Sequence, residues 1–367
     1  MIPLFKPSMN DDEVKAVGEV LKSGWIGLGP KTAEFEKKFA EYIGVKHAVA
    51  LNSCTTALHL ALDALGIHSG EVIVPAMTFV STAMAVNYTG AKPVFADINE
   101  DTLNIDVKDI ERKITPNTKA IIVVHYGGHP CEMDEIMNVA RKNNLKVIED
   151  CAHACGAEYK GKKVGSIGDM GCFSFHAVKN LATGDGGMIT LNNEELDKKL
   201  RKTRWMGITK DTFQRTGKDY DWYYEIHDLG YKGHMNDITA SIGLVQLSKL
   251  ENMNSRRKEI IKNYNNAFKN LKWISLPIKK DYVKSSYLNY AIKVKERDAL
   301  IGYLKDKGIS TGVHYTPLHL HPFYKGHKAK LPIVEKVYEK LVLLPGFVDL
   351  TDEQQNYIID SIKAFKK

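Results

Sequence analysis

An α/β architecture built on a large, mostly parallel sheet is what this sequence predicts, from its pattern of elements and from its length. Between Lys46 and Leu191, short β-rich runs (KHAVA, EVIVP, KPVFA, AIIVV, KVIED, CFSF and GGMITL) alternate with stretches of helical periodicity. Strands separated by helices read as βαβ units, which lay consecutive strands parallel. The last two runs are close enough in the chain to pair antiparallel. At 367 residues the chain exceeds the size at which one core stops growing, so a smaller second domain is expected. The division is set at residues 1–245 for the large domain and 246–367 for the small one, with the N-terminal segment packing on the small domain.

The elements follow in order. After the strand HAVAL, the segment TTALHLALDALG places Ala57, Leu58, Ala61, Leu62 and Leu65 on one helical stripe, with Ser53 as cap and Gly66 as stop. EMDEIMNVARKNN carries Ile136, Met137 and Ala140 on its buried side and ends at Asn143 and Asn144 before KVIED, a β-helix-β crossover. Beyond Gly243, LVQLSKLENMNSRRKEIIKNYNNAF reads as a long polar helix bridging to the small domain, which contains the run YLNYAIKV and the terminal helix DEQQNYIIDSIKAFK. Residues 210–230, KDTFQRTGKDYDWYYEIHDLG, are expected to form a mobile surface loop.

Composition narrows the class. Hydrophobic content of 44% and charged content of 26% suit a globular protein with ample core. Apolar runs such as AIIVVHY are far too short to span a bilayer, and MIPLFKPSMNDDEV has no apolar leader-like core, so no membrane role is expected. The net charge of +7 is spread along the chain rather than gathered on one stripe, which argues for solvated helix faces and against nucleic acid. Five cysteines form an odd set without a secreted framework, and a cytoplasmic location is expected.

Three segments carry chemistry. Asp150 closes the apolar strand KVIED, at the carboxyl end where open α/β sheets bind ligands. Alone it reads sooner as a helix cap or as the partner of a nearby lysine, whereas Glu149 alternates to the other face and serves structure. Ser53, Thr55 and Thr56 sit between a strand and a helix, where they are either caps or the start of a phosphate site. Ser174 can add a hydroxyl to the same phosphate. Lys179 lies between CFSF and the turn TGDGG. An amine, a strand-end carboxylate and a phosphate turn together describe a pyridoxal phosphate site, the amine forming a Schiff base and the carboxylate holding the pyridine nitrogen protonated. Phe79 and His153, just past strand ends, are either core and capping residues or ring contacts. His314, His319 and His321 lie close together, but Pro317 interrupts them and no cysteine or carboxylate completes a set, so no metal is expected.

The combination resembles the DegT/DnrJ/EryC1/StrS family of sugar aminotransferases, which have the fold-type I aminotransferase architecture. The likeness runs from SGWIGLGPKTAEFE through NSCTTALHLAL, PAMTFVSTAMA, EDCAHACGA, FSFHAVKNLATGDGGM and LGYKGHMNDITASIG to HYTPLHLHPFY and LTDEQQNYII. The resemblance implies a homodimer with active sites shared at the subunit interface. It carries the Schiff-base lysine onto Lys179, the pyridine-nitrogen aspartate onto Asp150, the stacking aromatic onto Phe79 and the residue on the ring's other face onto His153. Phosphate contacts fall on Thr55, Thr56 and Ser174. Where the family often reads GYN followed by Arg, or GYKYN, this chain has GYKGHMND, which makes Lys232 and His234 the candidates for a phosphate contact from the partner subunit. Trp25, His314, Tyr315 and His319 border the substrate pocket by the same likeness.

A subfamily that replaces the lysine with histidine performs dehydration; lysine stands here. The implied reaction moves an amino group from L-glutamate through pyridoxamine phosphate to a keto-sugar, nucleotide-linked, in surface-polysaccharide or amino-sugar synthesis. The alternatives are a small phosphorylated ketone as acceptor, or a sugar dehydratase using the same cofactor.

Overall fold

A computed structural model describes residues 1–209, 222–327 and 329–366. The first part of the chain supplies strands β1 (His47–Leu51), β2 (Glu71–Pro75), β3 (Lys92–Ala96), β4 (Thr118–Val124), β5 (Lys146–Asp150), the short β6 (Glu158–Tyr159) and β7 (Lys162–Lys163), then β8 (Met170–Ser174) and β9 (Gly187–Leu191). Seven of them form one sheet in the order β1-β9-β8-β5-β4-β2-β3. β9 runs antiparallel to both neighbours, and the remaining pairs are parallel. The mostly parallel α/β class read from the sequence is thus the observed one, antiparallel member included.

Helices α1 (Asp11–Ser23), α2 (Pro30–Ile43), α3 (Cys54–Ala64), α4 (Ser81–Tyr88), α5 (Val107–Lys113), α6 (Met133–Lys142) and α7 (Glu194–Thr203) surround this sheet. Strand alternation decides what each face packs on. Val49, Leu51, Val72 and Val74 meet the apolar stripe of α3, including Ala57, Leu58, Ala61 and Leu62. Ala48 and Ala50 point the other way, against Phe35, Phe39 and Ile43 of α2. Ile73, Ile121 and Val147 pack on Ile136, Val139 and Ala140 of α6. The Ser53 hydroxyl accepts the Thr56 N–H and caps α3, and Asn144 takes a positive φ of 54° where α6 gives way to β5.

A single helix, Asp237–Phe268, leads from this layer to a second sheet. That sheet orders β10 (Ile274–Ser275), β12 (Tyr290–Val294) and β13 (Leu341–Leu344), while β11 (Val283–Lys284) pairs with β6. Ile260, Tyr264 and Phe268 share a core there with Ile358, Ile359 and Ile362 of the terminal helix Asp352–Ala364. Ile2 bridges to Ile309 beside it. Of the segment expected as a mobile loop, residues 210–221 lie outside the described residues; Trp222, Ile226 and Leu229 are exposed. Among the described residues no helix is long and apolar enough to cross a membrane.

Candidate active site

The carboxyl ends of β2, β5 and β8 converge with the start of α3 around a cavity of about 400 Å³. Asp150, the last residue of β5, is buried at its floor. Its Oδ1 accepts the Ala152 N–H at 3.1 Å and its Oδ2 accepts the Thr82 hydroxyl at 2.9 Å. Burial pushes the Asp150 carboxyl up, while those two hydrogen bonds and the Lys179 ammonium oppose the rise.

Lys179 lines the same cavity from the turn after β8, its amide tied to the His176 carbonyl at 2.9 Å. Burial lowers its ammonium below the usual lysine range, against the pull of Asp150 and Cys54. A lowered amine is the form that attacks a carbonyl.

Thr55 faces the cavity from the first turn of α3, its hydroxyl 2.7 Å from that of Ser81. Ser174 closes β8 on the same wall. The start of α3 sits hard against the sheet because Gly187 has no side chain: a Cβ there would stand 2.4 Å from the Ser53 carbonyl. First-turn amides without intrahelical acceptors, the helix dipole and two hydroxyls suit a phosphate dianion.

Phe79 lines the cavity yet is 56% exposed, an aromatic face open to it, with its ring 5.9 Å from that of Tyr315. His153 is buried, with Nε2 3.0 Å from the Tyr315 hydroxyl and Nδ1 accepting the Gly127 N–H at 3.4 Å. Burial, then the charge of Lys179, hold its ring well below the usual histidine range, so it is neutral. His314 and Tyr315 complete the wall, His314 being pushed down to about 4 by burial and Lys179. The Tyr126 hydroxyl donates to the His314 carbonyl.

Five of the residues named from sequence stand apart from their own chain's cavity. Thr56 turns its hydroxyl to Asn52 at 2.7 Å. The Lys232 ammonium sits 3.5 Å over the Trp205 ring, and His234 meets the same indole edge-on at 4.2 Å. Burial and the charges of Lys232 and Arg204 push His234 down to about 4. The Trp25 indole donates to the Leu28 carbonyl at 3.1 Å. His319, expected at the pocket rim, is buried, its Nε2 3.0 Å from Glu335.

The three histidines of HYTPLHLH are not a shared ligand set. Among the described residues the acid, thiol and imidazole group near enough to share an ion is His125, Glu149 and Cys151. Hydrogen bonds account for it. The His125 Nδ1 accepts the Cys131 N–H at 3.0 Å, which puts the ring proton on Nε2, directed at Glu149 at 3.0 Å. Glu149 also accepts the amides of Gly165, Ile167 and Gly168. It points away from Asp150, as strand alternation requires. Sequence reading passed over Thr78, Ser81 and Thr82, although they follow strand β2 in the way Ser53 follows β1, and the same strand-end rule applies to them.

The sequence profile of the DegT/DnrJ/EryC1/StrS aminotransferase family matches residues 7–363. The chain belongs to that family. Protein MJ1066 of Methanocaldococcus jannaschii is 48% identical over 377 aligned residues, covering 100% of this chain and 97% of the relative. The spore coat polysaccharide biosynthesis protein SpsC of Bacillus subtilis is 43% identical over 378 residues, with the same two coverages of 100% and 97%. Among solved structures, Spr1654 of Streptococcus pneumoniae, assigned as a sugar aminotransferase, superposes in its PMP form with a TM-score of 0.94 at 36% identity, covering 100% of this chain and 99% of that one. The same protein is also known in a PLP form.

This member of the DegT/DnrJ/EryC1/StrS family is accordingly a pyridoxal phosphate-dependent aminotransferase of fold-type I. Its residues fit the cofactor. Asp150 keeps lone pairs beyond the two it commits to Thr82 and Ala152. The open ring of Phe79 offers a stacking face, and the lowered amine of Lys179 shares the cavity.

Proposed function

We propose that the chain transfers an amino group from L-glutamate to a nucleotide-linked keto-sugar, in the synthesis of a surface polysaccharide or amino sugar. Family membership and the likeness to SpsC and Spr1654 support the sugar and polysaccharide setting. The observation that carries the chemistry is Lys179 and Asp150 in one cavity.

Pyridoxal phosphate, when bound, supplies an electron sink and carries the amino group between donor and acceptor. Asp150 accepts the N–H of the pyridine nitrogen and keeps that proton in place. Lys179 would hold the cofactor through its amine and, as a free amine, would move a proton to and from the substrate Cα. Phe79 and His153 flank the ring. Thr55, Ser174 and the start of α3 hold the phosphate, with Lys232 or His234 reaching it from the partner subunit of a homodimer. His314 and Tyr315 border the acceptor and exclude water from the reacting carbon. Five free, buried cysteines support a cytoplasmic setting.

The test is an assay of 2-oxoglutarate release from L-glutamate with a panel of nucleotide-linked keto-sugars. Lys179→Ala is expected to lower turnover by about 10²-fold or more and to abolish the visible absorbance of lysine-bound cofactor. Normal turnover in that variant would sink the proposal. Loss of water from the sugar without glutamate consumption would mark a dehydratase.

A further inference from the structure

We infer that Thr82, backed by Thr78, is a positioning residue that orients Asp150 toward the pyridine nitrogen of the cofactor. The inference rests on the reading of Asp150 given above.

The Thr82 hydroxyl lies 2.9 Å from Asp150 Oδ2, and the Thr78 hydroxyl lies 2.7 Å from that of Thr82. All three side chains are buried, Thr78 at 2%, Thr82 at 1% and Asp150 at 4% exposure. Their hydrogen bonds have one possible direction. A carboxylate only accepts, so the single proton of Thr82 goes to Asp150, and Thr78 must then donate to the Thr82 oxygen. The result is a two-step chain of donors ending on the carboxylate, and each donor in such a chain polarises the next.

Geometry gives the chain its use. Asp150 ends β5, whereas both threonines lie beyond the end of β2, with β4 between them in the sheet. The Ala152 N–H fixes Oδ1 at 3.1 Å and Thr82 fixes Oδ2. Two donors on different oxygens set the plane of the carboxylate, leaving one acceptor position on each oxygen for the cavity. Hydrogen bonds to the charged form also counter the burial that favours protonation.

The experiment measures pyridoxal phosphate affinity and the pH titration of the cofactor's visible band in the holoenzyme. Thr82→Val is expected to weaken affinity about tenfold and to shift the pH at which the band changes. Thr82→Ser, which restores the donor, should recover both. Thr78→Val should produce a smaller change of the same kind, and none beyond Thr82→Val in the double variant. Should Thr82→Val not fold, Thr82→Ala and Thr78→Val carry the same comparison. Wild-type affinity and titration in the threonine variants, while Asp150→Asn loses both, would overturn this inference alone. An Asp150→Asn variant that keeps both would overturn the underlying reading of Asp150, and the inference with it.

Discussion

A missing side chain sets the distance between the phosphate turn and the sheet. At Gly187 an added Cβ would meet the Ser53 C and O atoms at 2.4 Å and the Cys54 nitrogen at 2.6 Å, all of them backbone atoms that cannot swing aside. Gly187→Ala should therefore cost about 1–3 kcal/mol of stability and weaken pyridoxal phosphate binding, because the first turn of α3 must shift. Gly161→Ala is the control: its φ is +79° and nothing lies within 4 Å, so it costs about 1 kcal/mol from backbone strain and leaves the cofactor untouched. Urea unfolding and a cofactor titration on both variants make the comparison; equal cofactor affinity would refute the close-approach account. His153 offers a second residue-scale test. Since burial and Lys179 keep it neutral, the pH profile of kcat/KM should carry no inflection from it between about pH 5 and 8. A His153→Gln variant should trace the same profile, and loss of a limb in that variant would show that the ring titrates.

At the scale of elements, α2, β1 and the end of α7 are joined by one buried carboxylate. Glu36 of α2 accepts from Arg204, from Arg201 at 2.7 Å and from the Ala50 amide of β1 at 2.8 Å. The same arginines donate to the Ala48 and Ala50 carbonyls, each at 3.0 Å. Burial would raise the Glu36 carboxyl, but the charges of Arg204 and Arg201 outweigh it and hold it below the usual carboxylate range. With the folded value below the unfolded one, this contribution is present above about pH 4.5 and is lost as pH falls through the lowered value. Glu36→Gln should cost about 3 kcal/mol at neutral pH, and its gap from wild type should narrow in acid. Urea denaturation across that range checks it; a gap that widens on acidification would contradict the ion-pair account. This network also marks a limit of sequence reading. β1 to β5 were legible as short β-rich runs between helical stretches, and helices α3 and α6 because their apolar residues fall on one helical stripe. The two-residue strands β6, β7, β10 and β11 carry no pattern at that length, and nothing local joins Glu36 to an arginine 168 residues away.

For the molecule as a whole, the site divides between what one chain places for itself and what it presents outward. Lys179, Asp150, Thr55, Phe79, His153 and Ser174 line one cavity because each stands at or just past a strand end, and the sheet brings strand ends together. Thr56 and His319 do not line that cavity, because residues along one turn point different ways, which sequence spacing does not reveal. Lys232 and His234 line up beside Trp205, away from their own cavity. Trp222, Ile226 and Leu229, close to these two in the chain, are exposed. If the sites are shared across a homodimer, two inactive variants should complement one another. A Lys179→Ala chain retains Lys232 and His234, whereas a Lys232→Ala, His234→Ala chain retains Lys179. In a mixed dimer one of the two sites then has every group it needs. Random pairing makes half the dimers mixed, so co-expression should restore about a quarter of wild-type sites. The readout is 2-oxoglutarate formation by the unfractionated co-expressed protein, with each parent homodimer as baseline. Were Lys232 and His234 to serve the cavity of their own chain, every site in the mixed dimer would lack something and no activity would return.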